Sequence, residues 1–93
     1  MKIIYRQHLL RRLKERKIPR NYPRTVYKKS KAHFFDTETL HKTAVLDLEY
    51  AEKLRPMAIA YDIIKEEVHI ITIHPISSEE VDRKINSERW IKI

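Results

Sequence analysis

The 93-residue chain contains no glycine. Glycine enters left-handed backbone at no steric cost and lets a main chain approach a phosphate closely. Without it neither a P-loop nor a dinucleotide fingerprint can be built. Sharp turns that need positive φ must fall to Asn, Asp or Lys, or be avoided. Cysteine is absent as well. That removes disulfides, thiolate zinc sites, iron–sulfur clusters and cysteine nucleophiles, and no cofactor is expected. Apolar residues make up 42% of the chain. This is enough for one modest core, and the length predicts a single domain over residues 1–93. Apolar runs are only a few residues long, so no membrane-spanning helix is expected. The opening Met1-Lys2-Ile3-Ile4-Tyr5-Arg6 charges up too soon for a signal peptide, which predicts a cytoplasmic protein.

Charge is unevenly spread. Lys and Arg total 20 against 13 Asp and Glu, a net +7. Residues 1–31 hold twelve cationic side chains and one acid, Glu15, whereas residues 32–93 hold eight cations and twelve acids. A one-sided basic surface attracts polyanions, of which nucleic acid is the usual one. The alternative is a pair of solvated basic helices that dock on an acidic protein. High charge with few Asn and Gln (Gln7, Asn21, Asn86) also suits a thermophile-like composition.

Local patterning predicts an α+β fold. Residues 2–5 are β-branched and aromatic and read as a short strand. Residues 6–17 read as a helix with Leu9, Leu13 and Leu10 on its apolar stripe, ended by Ile18-Pro19. A second helix is expected over about residues 21–30, with Pro23 in its first turn. Phe34-Phe35 begins a strand, and Asp36-Thr37-Glu38-Thr39 reads as a turn. Residues 42–50 alternate, with Ala44, Leu46, Leu48 and Tyr50 on one face. Residues 51–55 read as a connection closed by Pro56. Strands follow over 57–64 and 68–74, joined by a tight turn and apolar on both faces as central strands are. Ser77 and Glu80 form a capping box for a short helix to about Ile85. The expected architecture is a compact antiparallel meander with two N-terminal helices on one face, a short C-terminal helix, and an open concave face that holds a ligand.

Four groupings can carry chemistry. His8, Arg12 and Arg16 recur every four residues on one helical face. They form either a phosphate-gripping ridge or a solvated face whose Arg stems cover the sheet. Asp36 is either a catalytic carboxylate or, more simply, the head of an Asx turn. Arg55 and Tyr61 can stabilise a phosphate and position an oxygen, or else form an ion pair and a core hydroxyl. Thr72 and His74 share a strand face, and His74 at a strand end is either a general acid–base or a structural imidazole. Five His residues occur without His–His spacing of four, so no metal site is expected.

His8-x-x-x-Arg12-x-x-x-Arg16-x-Ile18-Pro19, the Asp-Thr-x-Thr turn, Arg55-x-x-x-Ile59-x-Tyr61, Val68-x-Ile70-Ile71-Thr72-x-His74-Pro75 and the terminal Arg89-Trp90 span nearly the whole chain. Together they resemble an uncharacterised family of small prokaryotic proteins that looks like a branch of the RelE/ParE/HigB/BrnT toxin-fold superfamily. The resemblance implies a RelE-like domain, mRNA cleavage on or off the ribosome, and neutralisation by an acidic antitoxin in a type II toxin–antitoxin pair. It fixes no catalytic residues, because such toxins differ in theirs.

Two functions compete. One is a metal-independent endoribonuclease, in which the RNA supplies its own 2′-hydroxyl nucleophile. His74, Arg55, Tyr61 and His8 are then the candidate catalytic residues, and Arg11, Arg12, Arg16 and Arg89 the candidate nucleic-acid contacts. The other is a non-catalytic basic module for nucleic acid or an acidic protein.

Overall fold

Alternating apolar positions in residues 42–75 build the centre of the fold. The computed structural model describes residues 1–93. In chain order it has β1 (Lys2–Tyr5), α1 (Gln7–Glu15), α2 (Tyr22–Lys29), β2 (His33–Asp36), β3 (Lys42–Tyr50), β4 (Lys53–Ile64), β5 (Glu67–Pro75), α3 (Ser78–Asn86) and β6 (Trp90–Lys92). The strands form one six-stranded sheet in the order β1-β5-β4-β3-β2-β6. Strands β2 to β5 make the expected antiparallel meander. The sheet as a whole is mixed, which corrects the all-antiparallel expectation. Strand β1 runs parallel to β5, with Ile3 opposite Val68 and Tyr5 opposite Ile70. Strand β6, absent from the sequence reading, pairs antiparallel with β2. The radius of gyration, 12.6 Å, is that of one close-packed domain of this length. No helix is long and apolar enough to cross a membrane.

The lack of glycine leaves its mark at the turns. Seven residues have positive φ: Lys17, Leu40, Ala51, Glu52, Lys65, Glu66 and Glu88. Lys17 and Lys65 are of the expected type, whereas Leu, Ala and Glu hold the other five positions where Asn, Asp or Lys were expected. Helix α1 stops two residues short of its predicted end, in a Schellman arrangement. The Ile18 amide donates to the Leu13 carbonyl at 3.0 Å and the Lys17 amide to that of Lys14 at 3.4 Å. Lys17 occupies the left-handed position that glycine usually takes there. Ala51-Glu52 and Lys65-Glu66 each close a two-residue hairpin. Two consecutive positive φ values are what such a turn needs to match strand twist. At the helix α3 start, the expected cap is present: Ser77 Oγ accepts from the Glu80 amide at 3.0 Å.

Pro56 lies inside β4 rather than ahead of it. Its carbonyl accepts from the Ile76 amide, so its missing N–H faces the side where β5 has already ended.

Strand alternation divides the core into two clusters. Leu9 and Leu13 of α1 and Val26 of α2 are buried with Met57, Ile59, Tyr61, Val68 and Ile70. Phe34, Ala58, Ile76 and Trp90 form the other cluster, with Val81 of α3 against it. On β4 the odd-numbered residues 57–61 serve the first cluster and Ala58 the second. Helix α3 covers only one end of that second face, and the rest stays open.

Candidate active site

The open face is paved by cross-strand rows. Thr43, Ala60 and Thr72 form one row across β3, β4 and β5, and Val45, Ala58 and His74 form the next. Ala60 and Ala58 hold the centres of the two rows, leaving short side chains along the middle of the face. The His8-Arg12-Arg16 ridge comes beside this face because α1 follows β1 directly, and β1 pairs with β5. Burial of Leu9 and Leu13 leaves the ridge on the flank of the helix. A cleft of about 280 Å³ results, lined by His8, Arg12, Arg16, Thr72, Ile73 and His74. Two groupings from different parts of the sequence thus share one wall-to-wall site.

A second cleft of about 250 Å³ lies on the other side of Thr72 and His74. Its lining includes His41, Thr43, Ala60, Lys84 and Arg89. Thr72 and His74 therefore form a rib between two clefts, each with cations on its outer wall. His74 keeps its surface open to solvent, yet its pKa lies below the ordinary imidazole value. Partial desolvation lowers it, and the charges on Lys84 and Arg16 act in the same direction, opposed by Glu80.

The structure separates the other predicted residues from this site. The Arg55 guanidinium is committed to the β3–β4 turn: Nε donates to the Tyr50 carbonyl at 2.8 Å and Nη2 to that of Ala51 at 3.5 Å. Tyr61 is 2% exposed and belongs to the core cluster that α1 and α2 share, on the opposite face of the sheet from His74. Its hydroxyl lies 2.6 Å from His33 Nδ1, and Tyr27 packs edge-on against both rings. Burial, and to a lesser degree Tyr27, pushes the Tyr61 hydroxyl up to about 12. Burial lowers the His33 pKa, against a hydrogen bond to the Tyr27 backbone, so a neutral His33 accepts the Tyr61 proton. Arg11 is exposed on α1 and lines neither cleft.

Arg89 lines the second cleft but is clamped to Asp36, with Nε 3.2 Å from Oδ1 and Nη2 3.4 Å from Oδ2. Asp36 heads the predicted Asx turn, accepting from the Glu38 and Thr39 amides at 2.9 and 3.2 Å. It also accepts from the Trp90 indole at 3.2 Å. Burial alone would raise its pKa, but Arg89 and these donors outweigh it and hold the carboxyl at about 2. The same contacts raise the Arg89 guanidinium. Asp36 is thus a structural anchor that ties β6 to the β2–β3 turn.

Sequence reading missed His41, Asp62 and Lys84. His41 Nδ1 lies 2.9 Å from Asp62 Oδ1. A carboxylate only accepts, so His41 donates from Nδ1 to Asp62. The available signal was the hairpin: a two-residue turn at 51–52 puts residue 41 opposite residue 62. No group of three or more His, Asp or Glu side chains is gathered closely enough to hold a metal ion. No protein family, curated protein or solved structure matches this chain.

Proposed function

We propose that this chain is a metal-independent endoribonuclease of toxin type, with its reactive phosphate held in the cleft between α1 and β5. The observation that carries the reading is the meeting of His8, Arg12, Arg16 and His74 around one cleft. Two imidazoles and two guanidiniums are the groups that phosphodiester cleavage through a 2′-hydroxyl requires. His74, whose charged form is disfavoured by desolvation and by Lys84 and Arg16, takes the 2′-hydroxyl proton. The 2′-oxygen attacks phosphorus, the bond to the 5′-oxygen breaks, and His8 returns a proton to that oxygen. The products are a 2′,3′-cyclic phosphate and a 5′-hydroxyl. Arg12 and Arg16 replace Arg55 as the groups that neutralise charge on the pentacovalent phosphate.

The basic residues of segment 1–31 give the RNA backbone its approach, and on this reading they also seat an acidic antitoxin. A RelE-like fold is part of the same proposal.

The test separates cleavage from binding. His74→Ala should abolish cleavage of a labelled mRNA, with and without ribosomes, while its affinity stays within a few-fold. Arg12→Gln with Arg16→Gln should weaken binding and flatten its salt dependence, as lost phosphate contacts do. Tight, salt-sensitive binding with no cleavage by the unmodified protein would leave a non-catalytic module instead.

A further inference from the structure

The ridge of His8, Arg12 and Arg16 occupies one flank of α1, and another basic cleft lies against the opposite flank. It measures about 380 Å³, larger than either cleft beside Thr72 and His74, and is lined by Ile3, Tyr5, Leu10, Arg20, Asn21 and Arg24. Its floor is apolar, made by half-buried Ile3 and Tyr5 of the edge strand β1 and Leu10 of α1. Its rim is cationic and holds no acid. Arg20 and Arg24 are exposed, and neither guanidinium makes an ion pair within the chain. The main chain beneath them is fixed. The Tyr5 hydroxyl donates to the Arg20 carbonyl at 2.7 Å and accepts from the Arg24 amide at 3.2 Å. The Arg24 guanidinium lies 5.9 Å from the centre of the Tyr5 ring.

Resting on the ribonuclease reading, we infer that this cleft is a distal site for the same single-stranded RNA, which crosses α1 on its way from the cleaved phosphate. Successive helical residues are turned by about 100°. With Leu9 and Leu13 inward, His8 and Arg12 fall on one flank and Leu10 on the other. Arg11 and Lys14 then lie on the outer surface between the flanks, and both are exposed. The single acid of residues 1–31, Glu15, sits on the ridge side of that band. Half the girth of a helix, roughly 16–19 Å with side chains, separates the two clefts, and an extended strand spans it in a few nucleotides. At the far end a base stacks on the apolar floor while its phosphates meet Arg20 and Arg24, the combination by which proteins hold single strands without reading sequence. The band runs on into the cleft that holds His74, which favours the RNA cleaved there over an acidic peptide. Arg11, which lines neither cleft beside His74, acquires a role as a phosphate contact on the crossing.

The experiment measures affinity of the full chain for 2′-O-methyl RNA oligomers, lengthened one nucleotide at a time from a dinucleotide, at each end in turn. These keep the phosphates and lack the nucleophile, so binding is read apart from cleavage. Affinity should rise in a step of roughly tenfold when one end reaches the distal cleft. Arg20→Gln with Arg24→Gln should remove that step. It should also lower the salt slope for the longest oligomer by about 1.4, two phosphate contacts at about 0.7 each. Both bonds to Tyr5 use the main chain of these residues, so the variant keeps them. Lys28→Gln with Lys29→Gln takes the same charge from the other end of α2 and should keep the step. Affinity with no step at either end, a step that survives in the Arg20–Arg24 variant, or equal loss in the two variants overturns the distal site. So does an acidic peptide that needs Arg20 and Arg24 for binding while no oligomer does. The matching RNAs with free 2′-hydroxyls test the parent reading. Cleavage without a step in affinity leaves the ribonuclease reading standing without the distal site. A step in affinity without cleavage overturns the ribonuclease and leaves the RNA path.

Discussion

Replacing Lys65 by Asn and Glu66 by Gly probes how a glycine-free chain makes its turns. Lys65 and Glu66 have φ of 49° and 65° and are the only residues between the paired Ile64 and Glu67. A left-handed residue with a Cβ costs about 1–2 kcal/mol. Glycine relieves that cost but loses about 0.5–1 kcal/mol in unfolded-state entropy. The net gain is about 0.5–1 kcal/mol for the hairpin, with Asn adding a few tenths. For a domain of this size, 1 kcal/mol moves the melting temperature by roughly 4–8 °C, so the variant should melt about 2–8 °C higher. Ala51→Asn with Glu52→Gly should do the same. The two turns close opposite ends of the 12-residue strand β4, so the gains should add. Thermal unfolding by circular dichroism reads the effect. Glu66→Ala is the control, because it removes the charge but keeps the Cβ, and it should give no gain. A glycine variant that melts no higher than the parent, or an alanine control that gains as much, would refute the strain argument.

Three further outcomes follow from the packing and the charges. Ile70 and Ile59 are 0% and 1% exposed. Truncating either to Ala should cost about 2–5 kcal/mol in denaturant unfolding, and an unchanged midpoint would contradict their place in the core. The Asp36 carboxyl falls from an ordinary 3.8 to about 2. Its ionised form therefore adds stability, about 2 kcal/mol, that is complete above pH ~4 and lost as pH falls toward about 2. Asp36→Asn should lose that stability at neutral pH and flatten the melting temperature between those limits. Finally, kcat/KM for RNA should rise with pH through a value below the ordinary imidazole range, since desolvation, with Lys84 and Arg16 and against Glu80, favours neutral His74. Lys84→Gln should move that limb to higher pH, and a stationary limb would remove His74 as the base.

What could be read in the sequence was whatever a strand or helix shows locally. The alternation of Ala44, Leu46, Leu48 and Tyr50, the apolar runs of β4 and β5, and the Ser77–Glu80 cap all stand in the structure. The parallel β1–β5 pair and strand β6 were not legible, because partners far apart in sequence leave no periodic trace. Trp90 and Asp36 are 54 residues apart and meet only once the sheet is complete. The missed His41–Asp62 pair has a more particular cause. Its register follows from the Ala51-Glu52 turn, but Ala-Glu carries none of the Asn-Gly chemistry by which a two-residue hairpin is read. Residues 51–55 therefore looked like a connection. Of the four groupings, the ridge and the Thr72-His74 strand end converged because β1 delivers α1 to β5. Arg55 and Tyr61 did not, because a carbonyl-lined turn and the half-buried His33 imidazole satisfy them.

The central claim is chemical, and one reaction tests it most directly. A labelled RNA is incubated with the full chain in excess EDTA, beside the same strand carrying a single 2′-deoxynucleotide at the cleavage position. The account predicts cleavage of the RNA to a 2′,3′-cyclic phosphate and a 5′-hydroxyl, none at the deoxy position, and loss of all cleavage in His74→Ala. Cleavage of the deoxy strand, products ending in a 5′-phosphate, or full activity in His74→Ala would contradict it.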